Sequence, residues 1–116
     1  DYAESQMFFD KNHYHDIKQS ATETGVNIPL IPGLKILTSH SHVTNIPRHF
    51  FVDLPPELTD RLLAADTWKK RVDVGVEWAY RQTLDLLDKG APCVHFYIMQ
   101  NTGPFIQLME RLKKHL

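Results

Sequence analysis

The sequence predicts an α/β fold in which three strands alternate with helices, and three observations point to it. Residues 1–9 alternate in polarity at period two. Residues 26–34 and 93–99 are short, nearly continuous apolar runs. Each of the three is followed by apolar residues at helical spacing. Strands in that order pair in parallel through right-handed crossovers, with the helices covering the sheet.

In the first unit, period two sets the polar Glu4 and Gln6 on one face and Ala3, Ser5 and Met7 on the other. Asp10 is expected to cap the next helix, along which Tyr14, Ile17 and Ala21 recur, and Gly25 to stop it. In the second unit, residues 26–34 read as a buried strand. Pro29 lacks the ladder donor and predicts a break or bulge. Ile31-Pro32-Gly33 is expected to end that strand, with Gly33 permitting a turn. Residues 38–46 read as a short surface helix capped by Thr38 or Ser39 and closed before Pro47.

Pro55-Pro56 then suits a helix start, continued by Leu58, Leu62 and Ala65. Asp66-Thr67 begins a long helix to Lys89, with Val72, Val76, Ala79, Thr83, Leu86 and Leu87 as its buried stripe and Gly90 as its stop. Residues 93–99 form a third buried strand. Thr102-Gly103-Pro104 opens the last helix, whose stripe is Phe105, Leu108, Met109, Leu112 and Leu116.

A chain of 116 residues allows one domain, and 42% hydrophobic residues spread from end to end exclude disorder. Thirteen Lys and Arg against fourteen Asp and Glu give a net charge of -1, so neither nucleic acid nor an anionic membrane is an expected partner. No apolar run approaches the roughly 20 residues of a membrane span. A single cysteine, Cys93, fits a reducing cytoplasm. The chain opens at Asp1-Tyr2-Ala3, already inside a strand, as a truncated or processed chain would. Three parallel strands leave two open edges, so a homo-oligomer is expected. The same units sit naturally as the last part of an eight-fold barrel, which takes ~250 residues.

Three motifs carry a resemblance. Gln6-Met7-Phe8-Phe9-Asp10 after the first strand, Ile31-Pro32-Gly33 in the second unit and His95-Phe96-Tyr97 in the third strand occur in an order and spacing that resemble methylenetetrahydrofolate reductase. The resemblance runs through the whole chain and implies strands six to eight, with their helices, of a (β/α)8 TIM barrel. Strands one to five are not among these residues. The family implies a flavoprotein of one-carbon metabolism and methionine biosynthesis. In it, NADH or NADPH reduces FAD, and the flavin reduces 5,10-methylenetetrahydrofolate to 5-methyltetrahydrofolate.

By the same resemblance, Gln6 corresponds to the glutamine that bonds the pterin and, in the other half-reaction, the nicotinamide. An amide at a strand end offers both donor and acceptor, which suits that role. Tyr97 and Met99 wall the substrate side, and His42 and Ile46 lie in the loop that covers folate and dinucleotide. Asn101 stands where an arginine often follows the strand, and Glu4 with Gln6 falls beside the flavin. No catalytic residue is expected in this segment. The proton donor to folate lies on the first strand, so the segment alone is expected to be inactive.

Simpler readings stand beside these. His13-Tyr14-His15 and His40-Ser41-His42 lack a convergent third ligand and read as solvated histidines, with no metal expected. Cys93 reads as an inert core residue, and Trp68 and Trp78 as packing or subunit contact. Lys69-Lys70-Arg71 reads as a solvated helix face. Departures at His42, Ile46 and Asn101 motivate a flavin-barrel enzyme with a different substrate. The open edges motivate a non-enzymatic, self-associating α/β fragment.

Overall fold

A computed structural model describes residues 2–10, 12–25, 27–50, 52–98 and 102–115. Val26, Met99, Asn101 and Leu116 therefore lie outside the described residues. The elements run β1 (Ala3–Met7), α1 (His13–Glu23), β2 (Leu30–Leu34), α2 (His40–Phe50), α3 (Pro56–Ala64), α4 (Trp68–Asp88), β3 (His95–Phe96) and α5 (Gly103–His115). The three strands form one parallel sheet in the order β1-β2-β3, as the alternation predicts.

Register follows from what each backbone can donate. Pro29 has no N–H, and β2 begins directly after it, while its carbonyl still accepts from Ala3 N at 2.9 Å. Ala3 pairs with Leu30 and Met7 with Gly33, with an irregularity between Glu4 and Met7 that turns the end of β1. Ile31-Pro32-Gly33 lies inside β2 instead of ending it, which corrects the expected turn. Gly33 is needed for close approach: a Cβ there would stand 2.6 Å from the Tyr97 ring and 2.7 Å from the Ser5 carbonyl. β3 spans two residues, shorter than the apolar run suggested, although Tyr97 N still donates to Leu34 O at 2.8 Å.

Three apolar clusters flank the sheet. Met7, Phe9, Leu37, Ile46, Leu58 and Leu62 join β1 to α2 and α3. Phe8, Tyr14, Leu34, Leu86 and Ala91 seat α1 and the end of α4. Val72, Val76, Ala79, Leu108 and Leu112 form the α4–α5 contact. The α4 stripe is as expected except for Leu87, which is exposed. Thr67 caps α4 by accepting from Lys70 N at 3.2 Å, and positive φ at Gly25 and Gly90 ends α1 and α4. Burial pushes the Glu77 carboxyl up, but hydrogen bonds from Arg111 on α5 and Arg81 on α4 overcome this and hold it below its usual range.

Three local expectations change. Asp10 is not the cap of α1. Its carboxylate accepts from Asn12 N at 2.9 Å, and Asn12 holds the cap position without a side-chain bond. The helix expected to close before Pro47 runs through it to Phe50, and although it lies at the surface as expected, one side of it enters the core, where Ile46 is buried and Val43 and Phe50 pack with it. Pro47 deprives only one carbonyl near the helix end of its donor. Cys93 is exposed, because β3 begins two residues later. Its thiol is expected to alkylate in the folded protein at close to the rate in denaturant; protection of tenfold or more, roughly the mark of a buried thiol, would contradict this placement. Among the described residues no helix is long and apolar enough to cross a membrane.

Candidate functional site

A group of polar side chains lies along the sheet and past its strand ends. Glu4 and Gln6 project from the uncovered face of β1. Gln6 is steadied from α2, its Nε2 donating to Phe50 O at 2.5 Å, while its amide oxygen has no partner among the described residues. Glu4 faces His95 Nδ1 on β3 at 3.8 Å. The His95 ring meets Tyr97 edge-on with centroids 4.6 Å apart. Tyr97 in turn lies across Gly33 and donates from its hydroxyl to Ser5 O at 3.0 Å. Ser5, 7% exposed, closes the arrangement by accepting at Oγ from Gly33 N at 2.9 Å. One tyrosine thus ties β3 across β2 to β1, and only a glycine in β2 leaves it room.

Two hollows flank this tie. The larger, about 370 Å³, lies past the ends of β2 and β3 and is lined by Lys35, Thr38, His42, Trp68, Arg71 and Tyr97, with Phe96 and Phe105 behind. The smaller, about 220 Å³, lies past β1 and is lined by Gln6, Phe8, Asp10, His13 and Asp53. His42 and Tyr97 are therefore brought together, while Gln6 opens on the neighbouring hollow. Ile46 reaches neither. It is 4% exposed in the core, because the apolar side of α2 turns toward Met7 and Leu37.

His42 is held by its place in α2. Ser39 caps the helix, its Oγ accepting from Ser41 N at 3.2 Å. His42, at the third helical position, reaches back so that its Nδ1 accepts from Thr38 N at 3.1 Å, much as a capping box does. Burial, and then the charge of Lys35, hold its imidazole below the ordinary range. That bond needs an unprotonated Nδ1, so Nε2 carries the proton. The unfolded chain therefore takes up a proton here before the folded chain does. Stability is expected to fall as pH drops below about 6.5, the ordinary histidine value, and to level off below the lowered folded value. Urea midpoints across that range should slope less in His42→Gln, whose amide keeps the capping bond; an identical slope would contradict the assignment.

The two His-x-His pairs do not converge. His40 Nε2 bonds Ala65 O at 2.8 Å while His42 turns to Thr38, and His13 packs on Phe8. Among the described residues no group of three His, Cys, Asp or Glu could hold a metal ion.

Residues 1–113 match the family model of methylenetetrahydrofolate reductase. The chain belongs to the methylenetetrahydrofolate reductase family. It is 24% identical over 110 residues to a probable methylenetetrahydrofolate reductase (NADPH) of Caenorhabditis elegans, covering 93% of this chain and 17% of that protein. It is 26% identical over 121 residues to methylenetetrahydrofolate reductase 2 of Saccharomyces cerevisiae, covering 97% of this chain and 19% of the relative. The chain thus spans less than a fifth of the length of these curated relatives. A solved structure from Clostridium thermocellum, described as binding two copies of 5-methyl-5,6,7,8-tetrahydrofolic acid, superposes with a TM-score of 0.59 at 16% identity. It covers 99% of this chain and 44% of that one, a likeness that speaks for the fold alone.

Within this reductase-family chain, Lys35, which the sequence did not single out, lines the larger hollow with Trp68, expected to pack or meet a subunit, and with Arg71, whose buried Nε corrects its reading as part of a solvated face. Lys35 carried a signal, as the lone charge in the apolar stretch after Gly33. Arg71 was hidden in the basic run 69–71, and the separation of Arg71 from Trp68 by three residues, which places both on one helix face, is the sign that would have found it.

Proposed function

We propose that these residues form the last three βα units of an eight-stranded barrel and supply the folate and nicotinamide side of a flavin-dependent methylenetetrahydrofolate reductase. The observation that carries this reading is Gln6, whose amide stands on the uncovered face at the end of β1 with its oxygen free. Active sites of such barrels lie at the C-terminal ends of the strands. The family match over residues 1–113 supports the same reading.

Glu4 and Gln6 are the described groups that fit a flavin ring, since both are polar and exposed on the face a completed barrel would enclose. The remaining FAD contacts belong to strands outside these residues. A bound flavin would supply hydride transfer between NADH or NADPH and the methylene carbon of the folate. Gln6 would then orient either the pterin or the carboxamide through one donor and one acceptor. Tyr97, fixed by Ser5 O, would wall the substrate side, and His42 would offer Nε2–H. By the resemblance Met99 would wall the same side, and Asn101 would stand where an arginine often contacts the folate's carboxylates. Ile46 would act from behind, holding α2 in place. The proton donor to folate lies elsewhere, so this segment alone would be inactive. We assign the reaction to the cytoplasm, with the whole protein a homo-oligomer; closure of the barrel would pair the outer edges of β1 and β3 with neighbouring strands.

The test is binding of 5-methyltetrahydrofolate to the flavin-loaded whole protein. Saturable binding is expected. Flavin without folate binding would favour a barrel enzyme acting on another substrate, and a flavin-free dimer would favour a self-associating module.

A further inference from the structure

The larger hollow carries two cations and no acid. Lys35 reaches it from the segment after β2 and Arg71 from the first turn of α4, and no Asp or Glu lines it. Every ion pair among the described residues leaves these two out. Lys35 makes no hydrogen bond among them. The Arg71 side chain makes only a long one, Nη1 to Ala65 O at 3.4 Å, and its Nε is buried without a partner.

Neither cation facing the hollow is neutralised by an acid, and burial alone lowers the Lys35 ammonium below its usual range. An oxyanion would relieve both effects and satisfy the orphaned guanidinium N–H. The other walls are apolar or aromatic, from Trp68, Phe96 and Phe105. At about 370 Å³ the hollow is near the lower end of the range for ligand pockets, so it suits the end of a ligand more than a whole dinucleotide.

We infer that Lys35 and Arg71 form a receptor for the anionic end of the ligand, a carboxylate or phosphate joined to a flat, apolar body. Arg71 presents a fork that can take two oxygens, and Lys35 adds a point charge from the opposite element. The hydroxyl of Thr38 and Nε2–H of His42 supply neutral donors on the same wall. The source of the anion rests on the reductase reading: a glutamate carboxylate of the folate, or a phosphate of the dinucleotide. The anion site itself does not depend on that reading.

The test begins with inorganic phosphate, titrated into the purified protein at low salt and followed by amide NMR shifts. Saturable shifts at residues 35–42 and 68–71 are expected. Lys35→Gln and Arg71→Gln should each weaken binding roughly tenfold or more, as loss of a charged hydrogen-bond partner does, and Arg71→Lys should restore part of it. Lys35→Gln keeps the test valid if Arg71→Gln fails to fold. No saturable shift in the wild-type protein, or unchanged affinity in Lys35→Gln, overturns the proposal.

The source is then separated with 5-methyltetrahydrofolate, its analogue lacking the glutamate, and NADPH. A folate source predicts that both Gln variants lose affinity for 5-methyltetrahydrofolate but not for the analogue. A dinucleotide source predicts loss for NADPH alone. Phosphate binding by a wild-type protein that takes neither ligand would refute the reductase reading and leave the anion site standing.

Discussion

Replacing Gly75 with alanine is expected to destabilise the protein by about 3 kcal/mol or more, the upper end for an overpacked core. Gly75 lies in the middle of α4, where a Cβ would stand 1.9 Å from the Leu37 carbonyl oxygen and 3.0 Å from its carbon. Both obstacles are backbone, so no rotamer change relieves them. α4 would have to lift from the segment after β2, loosening Leu37 from Met7, Phe9, Leu58 and Leu62. Gly25→Ala is the matched control. It meets open space at a φ of +83° and should cost only about 1 kcal/mol of backbone strain. Urea midpoints with unchanged slope measure both. Equal effects would mean that α4 does not approach β2 as closely as described.

Under the proposed function, Gln6→Ala made in the whole protein is expected to slow both half-reactions by roughly 10–100-fold, the effect of removing a hydrogen bond to a reacting ligand. Among the described residues the Gln6 side chain makes a single hydrogen bond, to Phe50 O, so the substitution should leave flavin content and stability nearly unchanged. A structural role would instead lower flavin content or the thermal midpoint. Gln6→Glu keeps an acceptor and removes the donor, so it should rescue less than half of the lost rate enhancement on a logarithmic scale. Loss in one half-reaction alone would contradict a residue shared by pterin and nicotinamide.

These two positions show what the sequence could and could not reveal. The exposed place of Gln6 on β1 was legible because period two sets it apart from Ser5 and Met7. The spans of α1, α3, α4 and α5 followed from their stripes and stops, which depend on local spacing. Gly75 carried no such sign, since its reason lies in Leu37, a residue far along the chain. Gly33 was misread for the same cause: it looked like a turn residue, yet its constraint is the ring of Tyr97. α2 misled because its polar residues outnumber its apolar ones, although Val43, Ile46 and Phe50 fall on one side. The ionic character of the larger hollow was hidden because Lys35, His42 and Arg71 come from three segments that only the packing of α4 brings together.

The most direct test of the central claim is an anaerobic flavin measurement on the whole protein that carries this segment. The bound flavin is reduced with NADPH or NADH and then mixed with 5,10-methylenetetrahydrofolate while its absorbance is followed. A reductase whose folate side is built by Gln6, Tyr97 and their neighbours predicts return of the oxidised spectrum with one 5-methyltetrahydrofolate formed per flavin. A reduced flavin that stays reduced in the presence of the folate, yet reoxidises when oxygen is admitted, would contradict it.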